Sequence, residues 1–202
     1  ISSHLFSHIY LNTDSEEIAE IGRRYGAQTP FLRPPELSSD TASTIDLLRH
    51  ALPLYTEIED FDALFLLQPT SPFRRETDFL RCAKELESGA EAVVTYAPPL
   101  EHPARIKSIS TDGIVEDLIT ESKTYRRQDE KSFFVRNGAI YAVLKSSLTK
   151  NNSLIPKNHR AVIMDSFSSI NIDSPLDMLI AELILTNVWN ENSFFQKEEA
   201  SF

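Results

Sequence analysis

The sequence predicts a three-layer α/β fold around a mostly parallel sheet. Strand-length apolar runs alternate with helix-length amphipathic runs from residue 7 to residue 97. The stretch LFLLQPTSPFR is apolar and unbroken until it empties into Gln68, Pro69, Thr70, Ser71 and Pro72, as a strand buried on both faces would. Ligands of open α/β sheets gather beyond the carboxyl ends of strands, so this turn reads as the floor of a polar ligand site, with Gln68 on it. Regular order returns late, with strands at 139–144 and 161–164 and a helix after Pro175.

The elements follow in order. Residues 7–11 read as a strand. Asp14 is placed to cap the next helix, with Glu17 reaching back from three positions on and Gly26 where a helix stops. Ile18, Ile21 and Tyr25 share one face of that helix, the face expected to meet the core. A short strand at 29–32 leads into the turn at Pro34 and Pro35. Asp40 or Thr41 then opens a helix that buries Ile45, Leu48 and Leu52. Residues 61–67 form the central strand, Glu76–Glu87 a helix and 91–97 another strand, joined by right-handed crossovers. After Pro98 charge and turns thicken, and the alternating stretches 105–110 and 113–118 mark 99–135 as a β-rich arm or insertion. The final helix carries Leu176, Leu179, Ile180, Leu183 and Ile184 at helical spacing. The chain thus divides into an α/β part (1–98), the arm (99–135), the remainder of the α/β domain (136–189) and a flexible tail (190–202).

Composition excludes several functions. The net charge is −10, and Lys and Arg form no stripe able to neutralise a nucleic-acid backbone. No apolar stretch has the length of a membrane span, and no signal-peptide pattern opens the chain. The single cysteine, Cys82, allows neither an internal disulfide nor a thiolate zinc site, and it reads as a small buried residue on a helix. A cytoplasmic protein is expected. The five histidines lack metal spacing, and neither a nucleophile elbow nor a P-loop is present.

The polar candidates each admit a bland alternative. In SINIDSPLD, Ser174 suits an N-cap and Pro175 the first helical position. Asp173 is therefore held at a strand-to-helix junction, with Asn171 two residues earlier on the same side of extended chain. The two make half a shell for Mg²⁺; alternatively, Asp173 only stabilises the helix start. Arg33, fixed between an apolar strand and two prolines, is a forked donor to a base or phosphate, or an ion-pair partner of Glu36 or Asp40. Ser43 and Thr44 offer hydroxyls and free backbone N–H groups to an anion, or simply cap a helix. Arg126, Arg127, Gln128, Asn137, Gly138 and Tyr141 suit a carboxylate-bearing ligand; for the arginines a solvated face serves equally, and for Tyr141 a half-buried strand position.

Taken together, the runs NTDSEEIAEIGRRYGA, FLRPPELSSDTAST, LLQPTSPFR, RRQ, RNGAIYAV and SINIDSPLD resemble, in order, those of the acylneuraminate cytidylyltransferases (CMP-sialic acid synthetases) and their bacterial relatives acting on legionaminic or pseudaminic acid. The resemblance implies a Rossmann-like nucleotidyltransferase sheet. It also implies transfer of CMP from CTP to a nonulosonic (sialic-type) acid with release of pyrophosphate, Mg²⁺ as cofactor, and a homodimer formed through the arm. By position, it assigns Arg33, Ser43 and Thr44 to the nucleotide. Gln68, Arg105, Lys107, Asn137 and Tyr141 fall to the sugar, Arg127 and Asp173 to catalysis, and Asp173 with Asn171 to the metal. The family pattern usually has Asp at position 171 and Ser at position 44. It also opens with a strand and a basic loop of the type ARxGSKxxxxKN that grips the CTP phosphates; this sequence begins beyond that loop, which implies a weakly active or inactive chain. A nucleotide-sugar glycosyltransferase and a non-catalytic sugar-binding or dimerising relative stand as alternatives.

Overall fold

The computed structural model describes residues 5–39, 42–58, 60–117 and 132–187. Its helices are α1 (Glu16–Arg24), α2 (Thr44–Ile58), α3 (Glu76–Glu87), α4 (Lys145–Asn151) and α5 (Pro175–Asn187). Its strands are β1 (Ala63–Leu66), β2 (Ala92–Ala97), β3 (Lys107–Ile109), β4 (Val115–Asp117), β5 (Val135–Leu144) and β6 (Arg160–Ile163). One sheet runs in the order β1-β5-β2-β6; β3 and β4 form a separate antiparallel pair within the expected arm, with Lys107 opposite Asp117 and Ile109 opposite Val115. The chain divides into two compact units, drawn from the described parts of Ile1–Leu66, Arg75–Val93 and Ile140–Arg160, and of Leu67–Arg74, Val94–Ala139 and Ala161–Phe202.

In the first unit α1 forms because Ser15 caps it, its hydroxyl accepting from Ile18 N at 3.3 Å, while Glu16 and Glu17 in the first turn and Arg23 and Arg24 in the last suit the helix dipole. The cap is thus Ser15 rather than Asp14, whose carboxylate is drawn to Arg33 instead. Gly26 ends the helix region at φ 86°, a left-handed backbone that a β-carbon disfavours. The face assigned to the core is a correction: Ile18, Ile21 and Tyr25 are 50, 47 and 77 % exposed, and Ala19 is the buried residue. Residues 7–11 and 29–32 likewise form no named strand; a single parallel bridge joins Tyr10 to Gln28. Tyr10, Tyr55 and Phe31 stack beside that bridge, with Tyr10 and Tyr55 ring centroids 4.1 Å apart. Helix α2 begins at Thr44, later than expected, and buries Leu48, Ala51 and Tyr55, leaving Ile45 and Leu52 half-buried.

β1 departs from expectation in two ways. It stands at an end of the four-stranded order, and it runs antiparallel to β5, with Ala63 opposite Leu144 and Leu66 opposite Tyr141. Its residues are half-buried throughout, as befits an end strand. The sheet is therefore mixed. Helix α3 has the predicted bounds, starting where the buried Asp78 carboxylate accepts from Arg75 N at 2.9 Å. Cys82 is wholly buried on it, and burial pushes its thiol up to about 12.

In the second unit α5 packs on the turn that follows β1. Phe73, Ala181 and Ile184 are buried together, with Phe167, Ile170 and Ile172 against them. Of the five apolar positions read from helical spacing, only Ile184 is buried; Leu176, Leu179, Ile180 and Leu183 are exposed among the described residues. Spacing marks an apolar face, but only a neighbouring surface buries it.

Phe73 is 4 % exposed within this cluster, so Phe73→Ala should lower unfolding free energy by about 3–5 kcal/mol, read from urea denaturation. The exposed Leu176→Ala should change it by no more than ~0.5 kcal/mol.

Candidate functional site

The polar turn after β1 is built from backbone bonds. Ser71 N donates to Gln68 O at 3.2 Å, closing a β-turn, and Ile172 N donates to Thr70 O at 2.8 Å. That second bond ties the turn to the stretch before α5, so Gln68, Ser71, Asn171 and Asp173 belong to one local assembly. Ser71 is fully buried and its Oγ lies 3.5 Å from Asn171 Oδ1, while the Asn171 amide nitrogen donates to the Asp173 carboxylate. The next carboxylate along, Asp177, is committed to the helix start: it accepts from Ser174 N at 2.8 Å, Ser174 Oγ at 2.7 Å and Asp173 N at 3.2 Å. These bonds, the Ser174 hydroxyl first, hold its carboxyl below the ordinary range. Asp173 is thereby left as the exposed carboxylate of the junction, bonded among the described residues only to Asn171.

Asn137 is in the opposite condition. Its Oδ1 accepts from Thr95 Oγ1 at 2.7 Å and Ala139 N at 3.1 Å, and its Nδ2 donates to Ser169 Oγ at 2.9 Å and lies 3.3 Å from Met164 Sδ. Gly138, at φ 75°, supplies the left-handed backbone that brings Ala139 N back to the Asn137 side chain. All four hydrogen-bonding sites of this amide are engaged, so Asn137 locks the start of β5. Gln68 contrasts with it: its backbone is bound, yet its side-chain amide makes no bond among the described residues.

The first unit holds a second polar cluster, an open cleft of about 170 Å³ lined by Arg33, Ser38, Ser39, Ser43 and Thr44 among others. Arg33 does form an ion pair, with Asp14 rather than Glu36; Asp40, the other expected partner, lies outside the described residues. Its Nη2 donates to Asp14 at 2.9 Å and its Nε to Ser38 Oγ at 3.0 Å. Ser43 caps α2, donating to the Asp46 carboxylate at 2.6 Å while accepting from Asp46 N at 3.2 Å. The cap expected at Asp40 or Thr41 thus falls on Ser43; both of those residues lie outside the described ones. The Thr44 hydroxyl makes no bond among the described residues, nor does that of Tyr141, whose ring is buried on β5.

In the expected arm, Arg105 is exposed and pairs with Glu101 at 3.2 Å, and Lys107 pairs across the hairpin with Asp117 at 2.6 Å. Arg126, Arg127 and Gln128 lie outside the described residues. The sequence reading passed over Arg74, which is half-buried and bonded to two backbone carbonyls. A signal was present: a cation set directly after an apolar residue in a proline-bounded turn must find acceptors nearby.

A mixed sheet with helices, and with polar turns at strand ends, defines an α/β fold. The solved CMP:2-keto-3-deoxy-manno-octonic acid synthetase complexed with CTP shares it, with a TM-score of 0.61 at 12% identity over 91% of this chain and 84% of that one. Among curated proteins, post-translational flagellin modification protein B of Campylobacter coli is 32% identical over 91% of this chain and 79% of its own length. The CMP-N,N'-diacetyllegionaminic acid synthase of Legionella pneumophila is 29% identical over 92% of this chain and 81% of its own. The N-acylneuraminate cytidylyltransferase of Escherichia coli is 31% identical over 90% of this chain, which spans 42% of that longer protein. No protein-family profile matches. The chain belongs to the acylneuraminate cytidylyltransferase family.

The Arg33 hydrogen bond is the largest cause holding the Asp14 carboxyl below the ordinary 3.8. A lowered folded value means that the pair's stabilisation is complete above pH 3.8 and lost as pH falls through the lower value. An NMR titration should place the Asp14 midpoint below 3.8 and, in Arg33→Ala, return it towards 3.8.

Proposed function

We propose that this chain transfers CMP from CTP to a nine-carbon, sialic-type acid and releases pyrophosphate. The observation that carries the reading is the Ile172 N–Thr70 O bond, which sets the uncommitted amide of Gln68 and the exposed carboxylate of Asp173 on adjoining stretches of backbone. The names of the relatives support the choice of nucleotide and sugar.

In this reaction the sugar's anomeric oxygen forms a bond to the α-phosphorus of CTP and loses its proton. The bond from that phosphorus to the pyrophosphate oxygen breaks. Little covalent work falls to the protein, and placement of the reactants supplies most of the rate. Gln68 offers one donor pair and one acceptor to the sugar's polar groups. Arg33 and Thr44 face the nucleotide from their cleft, and Ser43 holds the helix start beneath them. Asn137 serves by fixing β5, and Tyr141 presents its hydroxyl. Arg105 and Lys107 are set against the sugar's carboxylate, each exchanging its present acidic partner for it. Arg127 is assigned by resemblance to the sugar's carboxylate or the phosphates.

Mg²⁺ fits the Asp173 corner as half a shell. Asp177 is committed to the helix, and no group of three His, Cys, Asp or Glu side chains gathers among the described residues. Asp173 and, after its amide turns over, the Asn171 oxygen would hold the ion, with phosphate oxygens and waters completing the shell. When bound, Mg²⁺ supplies charge neutralisation at the phosphates. A homodimer through the arm is part of the same reading, supported by the exposed Ile106, Ile109, Ile114, Val115, Phe133 and Phe134. So is residence in the cytoplasm, where CTP is made; no helix among the described residues is long and apolar enough to cross a membrane.

With purified protein, CTP and N-acetylneuraminic or N,N'-diacetyllegionaminic acid, pyrophosphate release should require the sugar and stop on chelation. Sugar-independent release, or equal use of ATP, would overturn the reading. Asn171→Asp adds a second carboxylate and should lower the half-saturating Mg²⁺ concentration by on the order of tenfold, measured in the same assay.

A further inference from the structure

We propose that Arg74 is a positioning residue for this transfer, acting through Gln68, an inference that rests on the functional reading above. Arg74 Nη1 donates to Gln68 O at 2.9 Å and to Ala139 O at 3.3 Å. No carboxylate meets the guanidinium among the described residues. Burial without a counter-charge lowers its pKa, so the cation is held at a cost and by carbonyl dipoles alone.

What it holds is specific. The Gln68 carbonyl accepts from both Ser71 N and Arg74, which uses both of its lone pairs and fixes the turn from two sides. The Ala139 carbonyl belongs to the stretch locked by Asn137, through Ala139 N at 3.1 Å. One guanidinium therefore joins the turn that carries Gln68 to the start of β5, both within the second unit. Among the described residues the Gln68 side-chain amide is left unbonded at the end of a doubly fastened backbone, as a group meant for a ligand would be. Both bonds leave one nitrogen, Nη1, whose two N–H directions are fixed in the guanidinium plane, whereas a lysine ammonium keeps the charge but not those fixed directions. Misplacement of a substrate-positioning group by about 1 Å can cost on the order of a hundredfold in rate.

The test compares wild type, Arg74→Lys, Gln68→Ala and the double variant in steady-state kinetics, with amide hydrogen exchange at Ser71 as a second readout. Arg74→Gln replaces Arg74→Lys should the latter not fold. Arg74→Lys should raise KM for the sugar acid about tenfold or more and leave KM for CTP within about twofold. It should speed exchange at Ser71 and add nothing to the loss already caused by Gln68→Ala. Equal rises in both KM values with a lowered Tm, additive losses in the double variant, or unchanged exchange at Ser71 would each overturn the proposal. Failure of the functional reading is visible separately, because wild type itself would then show no sugar-dependent release. In that event unchanged exchange removes the staple as well, and faster exchange keeps the staple but overturns its role in catalysis.

Discussion

Backbone carbonyls that leave a sheet while still partly buried need donors, and the half-buried turn at residues 68–71, with Ser71 fully buried, is organised around that requirement. Prolines at 69 and 72 remove two N–H groups that might have served locally. Ser71 N remains as the turn's own donor to Gln68, and the others come from outside it: Arg74 for Gln68, and Ile172 N for Thr70. Each of these bonds also places a functional candidate. The Ile172 bond brings up Asn171 and Asp173, the Arg74 bond reaches Ala139 and hence Asn137, and Phe73 anchors the turn on α5. Satisfying the turn and assembling the polar corner are one event.

The division between committed and uncommitted polar groups sorts the remaining residues. Asn137 has its hydrogen-bonding capacity filled by the fold, and the Ser43 hydroxyl and one carboxylate oxygen of Asp177, Oδ2, are already bonded at helix starts. A ligand would have to compete with bonds already made, and a broken buried bond leaves its partner unsatisfied. Among the described residues, the amide of Gln68 and the hydroxyls of Thr44 and Tyr141 face no such competition. The cleft around Arg33 mixes both kinds, since two of the guanidinium's nitrogens are held by Asp14 and Ser38 while the third has no partner among the described residues.

Local signals were the legible part of the sequence. The bounds of α3, the start of α5 at Pro175 and the left-handed Gly26 each depend on a few neighbouring residues, and each was readable. The antiparallel run of β1 against β5 was not, because a strand such as β5, covered on both faces, shows no alternation from which direction could be inferred. Burial failed for a related reason. Ile18, Ile21, Leu176 and Leu183 satisfy helical periodicity, yet which stripe is covered depends on tertiary neighbours that spacing cannot name. Within the candidate site, residue types were readable and their employment was not: Asn137 and Gln68 are both amides, and only the fold makes one a brace and leaves the other open.

Asn171 shows how such employment can alter a site without altering its shape. Two carboxylates at positions 171 and 173 would repel one another until a cation arrived, so the corner would be complete only in the ion's presence. An amide there donates to Asp173 and settles the geometry without any ion. The same amide must turn over to offer its oxygen to a metal, giving up the bond to Asp173 and moving away from its contact with Ser71. Pre-assembly is therefore gained at the expense of cation affinity, and the chemistry at this corner follows the balance between the two.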